Sequence, residues 1–145
     1  MAYRGVVMAS GASIHALTPE TEVARAKDML SRLVSFDTTS RNSNLAFIAD
    51  VRALLADYGI TSRLVHNDEG TKANLLATVG PMVPGGIVLS GHTDVVPIDD
   101  QDWRTDPWKV TERDGKLYGR GTADMKSFLA VILAALPEMT KAKLK

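Results

Sequence analysis

Two stretches of the 145-residue sequence hold side chains whose types and spacing suit chemistry. The first is Ser90-Gly91-His92-Thr93-Asp94, directly after the apolar run Ile87-Val88-Leu89. In extended backbone, residues two apart point to the same face, so His92 and Asp94 can act together. One use of that pair is a metal-ligating imidazole beside a carboxylate. An aspartate that accepts the second ring N–H fixes the tautomer and raises the basicity of the ligating nitrogen. A loop histidine bonded to a turn aspartate is the plainer account, because His-x-Asp alone is a weak pattern.

The second stretch is Gly119-Arg120-Gly121-Thr122-Ala123-Asp124-Met125-Lys126. Its glycines permit positive φ and close backbone approach, and they would lift Asp124 to the tip of a sheet. Asp124 reads in three ways: as the N-cap of the helix that follows, as a metal ligand, or as a neighbour of an anion-cradling turn. The Walker spacing is absent, and an aspartate beside the helix start would repel a phosphate. Together the two stretches favour metal chemistry. A carboxylate bridging two cations ~3.5–4 Å apart, with a histidine on one of them, is the core of a two-metal hydrolase site.

The elements that must position these residues follow from periodicity. Thr18-Pro19-Glu20 opens a helix carrying Val23, Ala26, Met29, Leu30, Leu33 and Val34 at helical spacing. Phe36 to Ser40 is a polar break. A second helix follows, capped by Asn42 or Ser43 and stopped by Gly59. Ile60–His66, Ala73–Val79 and Gly86–Ser90 read as strands, the last as a central strand covered on both faces. Trp108–Glu112 and Lys116–Tyr118 read as a hairpin around Asp114-Gly115. The final helix is expected over Met125–Leu136, closed near Pro137. Helices, then strands, then a helix suggest α/β architecture in three layers, a central mixed sheet flanked by helices. Residues 1–18 read as a flexible N-terminal tail and 19–145 as one domain.

Composition narrows the function classes. Seventeen Lys and Arg balance seventeen Asp and Glu, so no broad field attracts nucleic acid or an anionic membrane. No cysteine is present, which excludes disulfides and thiolate metal sites and leaves His and carboxylates as ligands. No apolar run approaches the roughly 20 residues of a membrane span. The expected location is cytoplasmic.

Three motifs carry a family resemblance: Ser-Gly-His-Thr-Asp-Val-Val-Pro (90–97), Trp-Arg-Thr-Asp-Pro-Trp (103–108) and Leu-Tyr-Gly-Arg-Gly-Thr-Ala-Asp-Met-Lys (117–126). Together they resemble the M20 family of metallopeptidases and deacylases, over about residues 20 to 140. Phe36 to Leu45, Gly70 to Leu75 and the Thr-Ala-Asp at 122–124 are most similar to the branch that hydrolyses N2-acetyl-L-ornithine to acetate and L-ornithine in arginine biosynthesis. Other branches, such as the desuccinylases of succinyl-diaminopimelate or the peptidases, are the alternative, as is a non-catalytic remnant. Ser127 departs from the pattern, where glycine is usual.

The resemblance implies a zinc-peptidase-like fold and two divalent metal ions, zinc foremost and cobalt possible. His92 would bind one metal, Asp124 would bridge both, and Asp94 would orient His92. The Asp124–Met125 peptide would be cis. The resemblance also implies an N-acyl amino acid substrate and a homodimer in full-length homologues. The family's Glu-Glu pair, a further acidic ligand, a final histidine and the dimerisation domain have no counterpart here. Glu138 sits on a helix end instead, and His15 and His66 match no family position. The chain is therefore expected to be the truncated N-terminal part of a metallohydrolase catalytic domain, inactive in isolation.

Overall fold

The computed structural model describes residues 18–144. The expected tail, and His15 with it, lies outside the described residues apart from Thr18, which begins the first helix.

Helix α1 spans Pro19–Val34, with Pro in its first turn. A first-turn proline costs little, because its missing N–H would have no partner there anyway. Thr18 caps the helix through its carbonyl, not its hydroxyl: Glu22 N–H and the Thr21 hydroxyl donate to Thr18 O at 3.1 and 2.7 Å. Leu30, Leu33 and Val34 form the buried stripe.

Helix α2 spans Leu45–Asp57 and its N-cap residue is Asn44, not Asn42 or Ser43. Asn44 spends its side chain on the neighbouring strand, exchanging bonds of 2.9 Å with both the carbonyl and the N–H of Ala73. Ser43 Oγ accepts the Leu45 N–H at 3.2 Å and so does the capping from one residue earlier. At the other end Gly59 stops the helix at φ 71°. Gly59 N–H reaches Ala56 O at 2.8 Å and Ile60 N–H reaches Leu55 O at 2.9 Å, the paired bonds of a Schellman turn.

Two antiparallel pairs follow. Strands β1 (Ser62–His66) and β2 (Ala73–Ala77) pair with Leu64 opposite Leu75. Strands β3 (Thr111–Arg113) and β4 (Lys116–Tyr118) meet across Asp114-Gly115, at φ 52° and 70°. Positive φ at both central residues is what a tight hairpin turn matching the strand twist requires. Both strands of the first pair, and the first of the second, are shorter than the sequence predicts.

Helix α3 spans Lys126–Ala134 and α4 spans Leu136–Lys141, with Ala135 as the break. The expected stop near Pro137 is therefore a restart. Proline falls in the first turn of α4, where no helical N–H is needed.

The larger correction concerns Gly86–Ser90. No strand forms there among the described residues, and Ile87 and Val88 are 88% and 90% exposed. An apolar run records that a segment suits burial on both faces. It becomes a strand only where neighbours complete the ladder and layers cover it. The sheets described here are two separate two-stranded pairs, so the central sheet of the three-layer expectation is not assembled. An isolated parallel bridge, Thr39 to Val95, is all that ties this region to the α1–α2 loop in sheet fashion among the described residues.

The core is helical. α1 packs on α3, and α2 packs on β2 and β1. Leu30, Leu33, Phe47, Ile48, Leu55, Ala130 and Leu136 are buried together. Phe36 meets Phe47 edge-on, with centroids 5.8 Å apart.

Candidate metal centre

His92 and Asp124 reach one another from two different segments. Gly91 sits close against α3: a Cβ there would come within 2.8 Å of Leu129 Cδ2 and 3.2 Å of Phe128 Cδ1. The missing side chain lets the backbone carrying His92 lie near the start of that helix. On the other side, Gly121 turns at φ 86°, and a Cβ there would meet Val95 Cγ1 at 2.9 Å and Lys126 Cδ at 3.1 Å. Thr122 Oγ1 donates to Gly119 O at 2.9 Å and Lys126 N–H to Gly121 O at 2.9 Å, which closes the turn. The N-cap position of α3 is Met125, so Asp124 is not a cap and its carboxylate is free to face His92. The Asp124–Met125 peptide is cis.

His92 Nε2 lies 2.9 Å from Asp124 Oδ1. On the opposite edge of the ring, Nδ1 lies 2.9 Å from the Asp94 carbonyl oxygen and 3.2 Å from Asp94 Oδ1. The main chain of Asp94 is thus the nearer acceptor and the carboxylate the second one. Sequence spacing pointed to the carboxylate alone. Since a carbonyl can only accept, Nδ1 carries the proton.

Both ring nitrogens then face acceptors. The His92 pKa is raised, first by the Asp124 hydrogen bond and then by the Asp94 carbonyl. The Ser40 hydroxyl donates to Asp94 Oδ2 at 2.7 Å and holds that carboxyl below its ordinary range. With a metal ion in place of the Nε2 proton, the same two atoms are a neutral imidazole donor and an anionic oxygen donor. The donor pair fits a divalent cation. It is not a complete set: among the described residues no group of three or more His, Asp or Glu side chains could hold a metal.

The pair opens onto a cleft of about 190 Å³ lined by His92, Asp94, Val95, Val96 and the 119–124 turn. A larger hollow of about 490 Å³ lies over α2 and β1, lined by Leu45, Ile48, Leu64, three alanines and Arg52. Its lining holds no His, Asp or Glu. The Trp103 loop folds onto the turn, with the Arg120 guanidinium 5.0 Å over the Trp103 ring and Arg120 N–H on Pro107 O at 2.7 Å. His66 ends β1 opposite Ala73, on the first hairpin.

Two residues at the site went unread in the sequence. Ser40 lies 54 positions from Asp94, in a stretch that carries part of the resemblance but gives no sign of the link to Asp94. Lys126 is fully buried at the start of α3, its Nζ donating to Phe36 O at 2.7 Å and lying 5.7 Å from the Phe47 and Trp108 rings. A lysine at the first position of a helix, where a cation is disfavoured by the dipole, was the available signal.

A histidine and a carboxylate thus converge beside a glycine turn at a helix start, two side chains of types that can ligate a metal. The stretch that carries both, residues 88–145, matches peptidase family M20/M25/M40, so the resemblance read from the motifs holds for this stretch. Over 131 residues the chain is 41% identical to the acetylornithine deacetylase of Salmonella paratyphi B (strain ATCC BAA-1250 / SPB7), and equally to those of Salmonella newport (strain SL254) and Salmonella heidelberg (strain SL476). The alignment takes in 89% of this chain and 34% of each relative, so the chain spans about a third of the length of the curated relatives it matches.

Proposed function

We propose that this chain supplies the His92 and Asp124 ligands of a two-metal amide hydrolase that acts on N2-acetyl-L-ornithine. The observation that carries the reading is the 2.9 Å approach of His92 Nε2 to Asp124 Oδ1, with Nδ1 already held by Asp94. The 41% identity to acetylornithine deacetylases supports the substrate assignment.

In this reading His92 Nε2 and the Asp124 carboxylate would hold the ions, with Asp124 shared between the two. Asp94 keeps the proton on Nδ1 and so keeps Nε2 available. Two divalent ions held there, zinc foremost or cobalt, would polarise an amide carbonyl and lower the pKa of a water to ~7. Among the described residues no third ligand stands beside this pair, and the 145-residue chain by itself is expected to be inactive. In the whole enzyme, Ile87 to Leu89 become a covered strand of a three-layer, zinc-peptidase-like domain, and the active form is a homodimer. The protein is cytoplasmic in this reading, and no helix of the described residues is long and apolar enough to cross a membrane.

The test is zinc titration of the chain by calorimetry, followed by assay with N2-acetyl-L-ornithine and N-succinyl-diaminopimelate. The expected outcome is weak zinc binding that disappears in His92→Ala and in Asp124→Ala, with no turnover of either substrate. Zinc binding that survives both substitutions sinks the ligand assignment. Deacetylation by the chain with added zinc or cobalt, lost in His92→Ala, would refute the claim that it is inactive alone.

A further inference from the structure

The segment Thr38-Thr39-Ser40 runs alongside Thr93-Asp94-Val95 as a short parallel pair. Thr38 and Thr39 are 2% and 1% exposed. Asp37 shapes the segment by accepting the Thr39 N–H at 2.9 Å, the Thr39 hydroxyl at 2.6 Å and Asn42 Nδ2 at 3.0 Å. Across the pair, Thr38 Oγ1 donates to Thr93 O at 2.6 Å, Val95 N–H to Thr38 O at 3.1 Å and Ser40 N–H to Val95 O at 3.0 Å.

A trans peptide is planar, and its N–H and C=O point in opposite directions. The peptide joining Asp94 to Val95 therefore aims its N–H at Thr38 and its carbonyl at His92 Nδ1, 2.9 Å away. The side chain of Asp94 is held in the same way. Ser40 Oγ takes Oδ2 at 2.7 Å, which leaves Oδ1 to face Nδ1 at 3.2 Å. Both acceptors of the His92 proton are thus oriented by one three-residue segment, more than fifty positions earlier in the chain.

We propose that Ser40 is a positioning residue for His92, acting through the Asp94 carboxylate to keep the imidazole proton on Nδ1 and the Nε2 lone pair on the open cleft. The value of this for metal binding rests on the reading above; the positioning itself does not. Partners that fix a ligating histidine commonly contribute tenfold or more to metal affinity. Ser40 acts one bond further out, so its contribution is smaller.

The experiment separates the two claims. In an Asp124→Ala host, Nε2 no longer faces a carboxylate, and two-bond ¹H–¹⁵N correlation of neutral His92 reads the tautomer. The expected result is a predominance of the Nδ1–H form, a shift toward the mixture of free histidine in Ser40→Ala, and restoration in Ser40→Thr. With Asp124 present, Ser40→Ala weakens binding of zinc ion alone by about threefold to tenfold in chelator competition. It has no further effect once Asp94→Ala is in place. A tautomer population unmoved by Ser40→Ala, or an equal loss of zinc affinity in the Asp94→Ala background, overturns the proposal. A wild-type chain without zinc affinity sinks the metal reading instead, and the tautomer measurement still decides the role of Ser40.

Discussion

A buried lysine is the most demanding residue in the molecule. Among the described residues the Lys126 ammonium donates to Phe36 O and has two aromatic neighbours, Phe47 and Trp108. Burial pushes its pKa down to about 8 from 10.5, with Asp37 pulling the other way. Between those values the unfolded chain holds a proton that the folded chain has lost. Stability therefore rises with pH across that window, by on the order of 2 kcal/mol for this residue. Urea unfolding followed from pH 7 to 10 is expected to show that rise, and Lys126→Met is expected to flatten it. The same residue shows how local patterns mislead. In the sequence Lys126 is simply the residue after Met125, and its burial depends on Phe36, 90 positions away.

At the scale of elements, local chemistry accounts for most of what forms. The α1 proline, the Gly59 stop and the Asp114-Gly115 hairpin were legible because each is decided within a few residues. Gly59 adopts φ 71° with no neighbour near its missing side chain, so the Gly59→Ala effect is conformational alone. A loss of about 1 kcal/mol is expected, read as a lower midpoint in chemical denaturation with unchanged slope. The misread boundaries have equally specific causes. Asn44 was overlooked as the α2 cap residue because its side chain is engaged by Ala73 on β2, a contact no helical pattern contains. Pro137 was taken as an end and is a first-turn residue, because a proline looks the same to a sequence whether a helix stops before it or restarts at it.

For the molecule as a whole, the apolar run at 86–90 is exposed surface outside any strand. Ile87 and Val88 stand almost fully in solvent, and Met82, Val83 and Val131 are exposed as well. Contiguous apolar surface with free backbone hydrogen-bonding groups favours association. The chain is therefore expected to self-associate with rising concentration, and the double substitution Ile87→Lys, Val88→Lys is expected to reduce this. Sedimentation velocity over a tenfold concentration range checks it; a monomer at every concentration without the substitutions is the contrary outcome.

The sequence by itself determined the residues with ligand chemistry, the glycines that let them approach, and the helices and tight turns whose hydrogen bonds close within a few positions. It also carried the family resemblance, because motif spacing is a linear property. Tertiary structure alone decided that His92 and Asp124 stand 2.9 Å apart, that the Asp94 carbonyl lies nearer to the ring than its carboxylate, and that the Ser40 hydroxyl bonds that carboxylate. It also decided that the most strand-like run pairs with nothing described. Such facts depend on which distant segments pack together, and a strand, a buried cation or a ligand pair has no free energy of its own until they do.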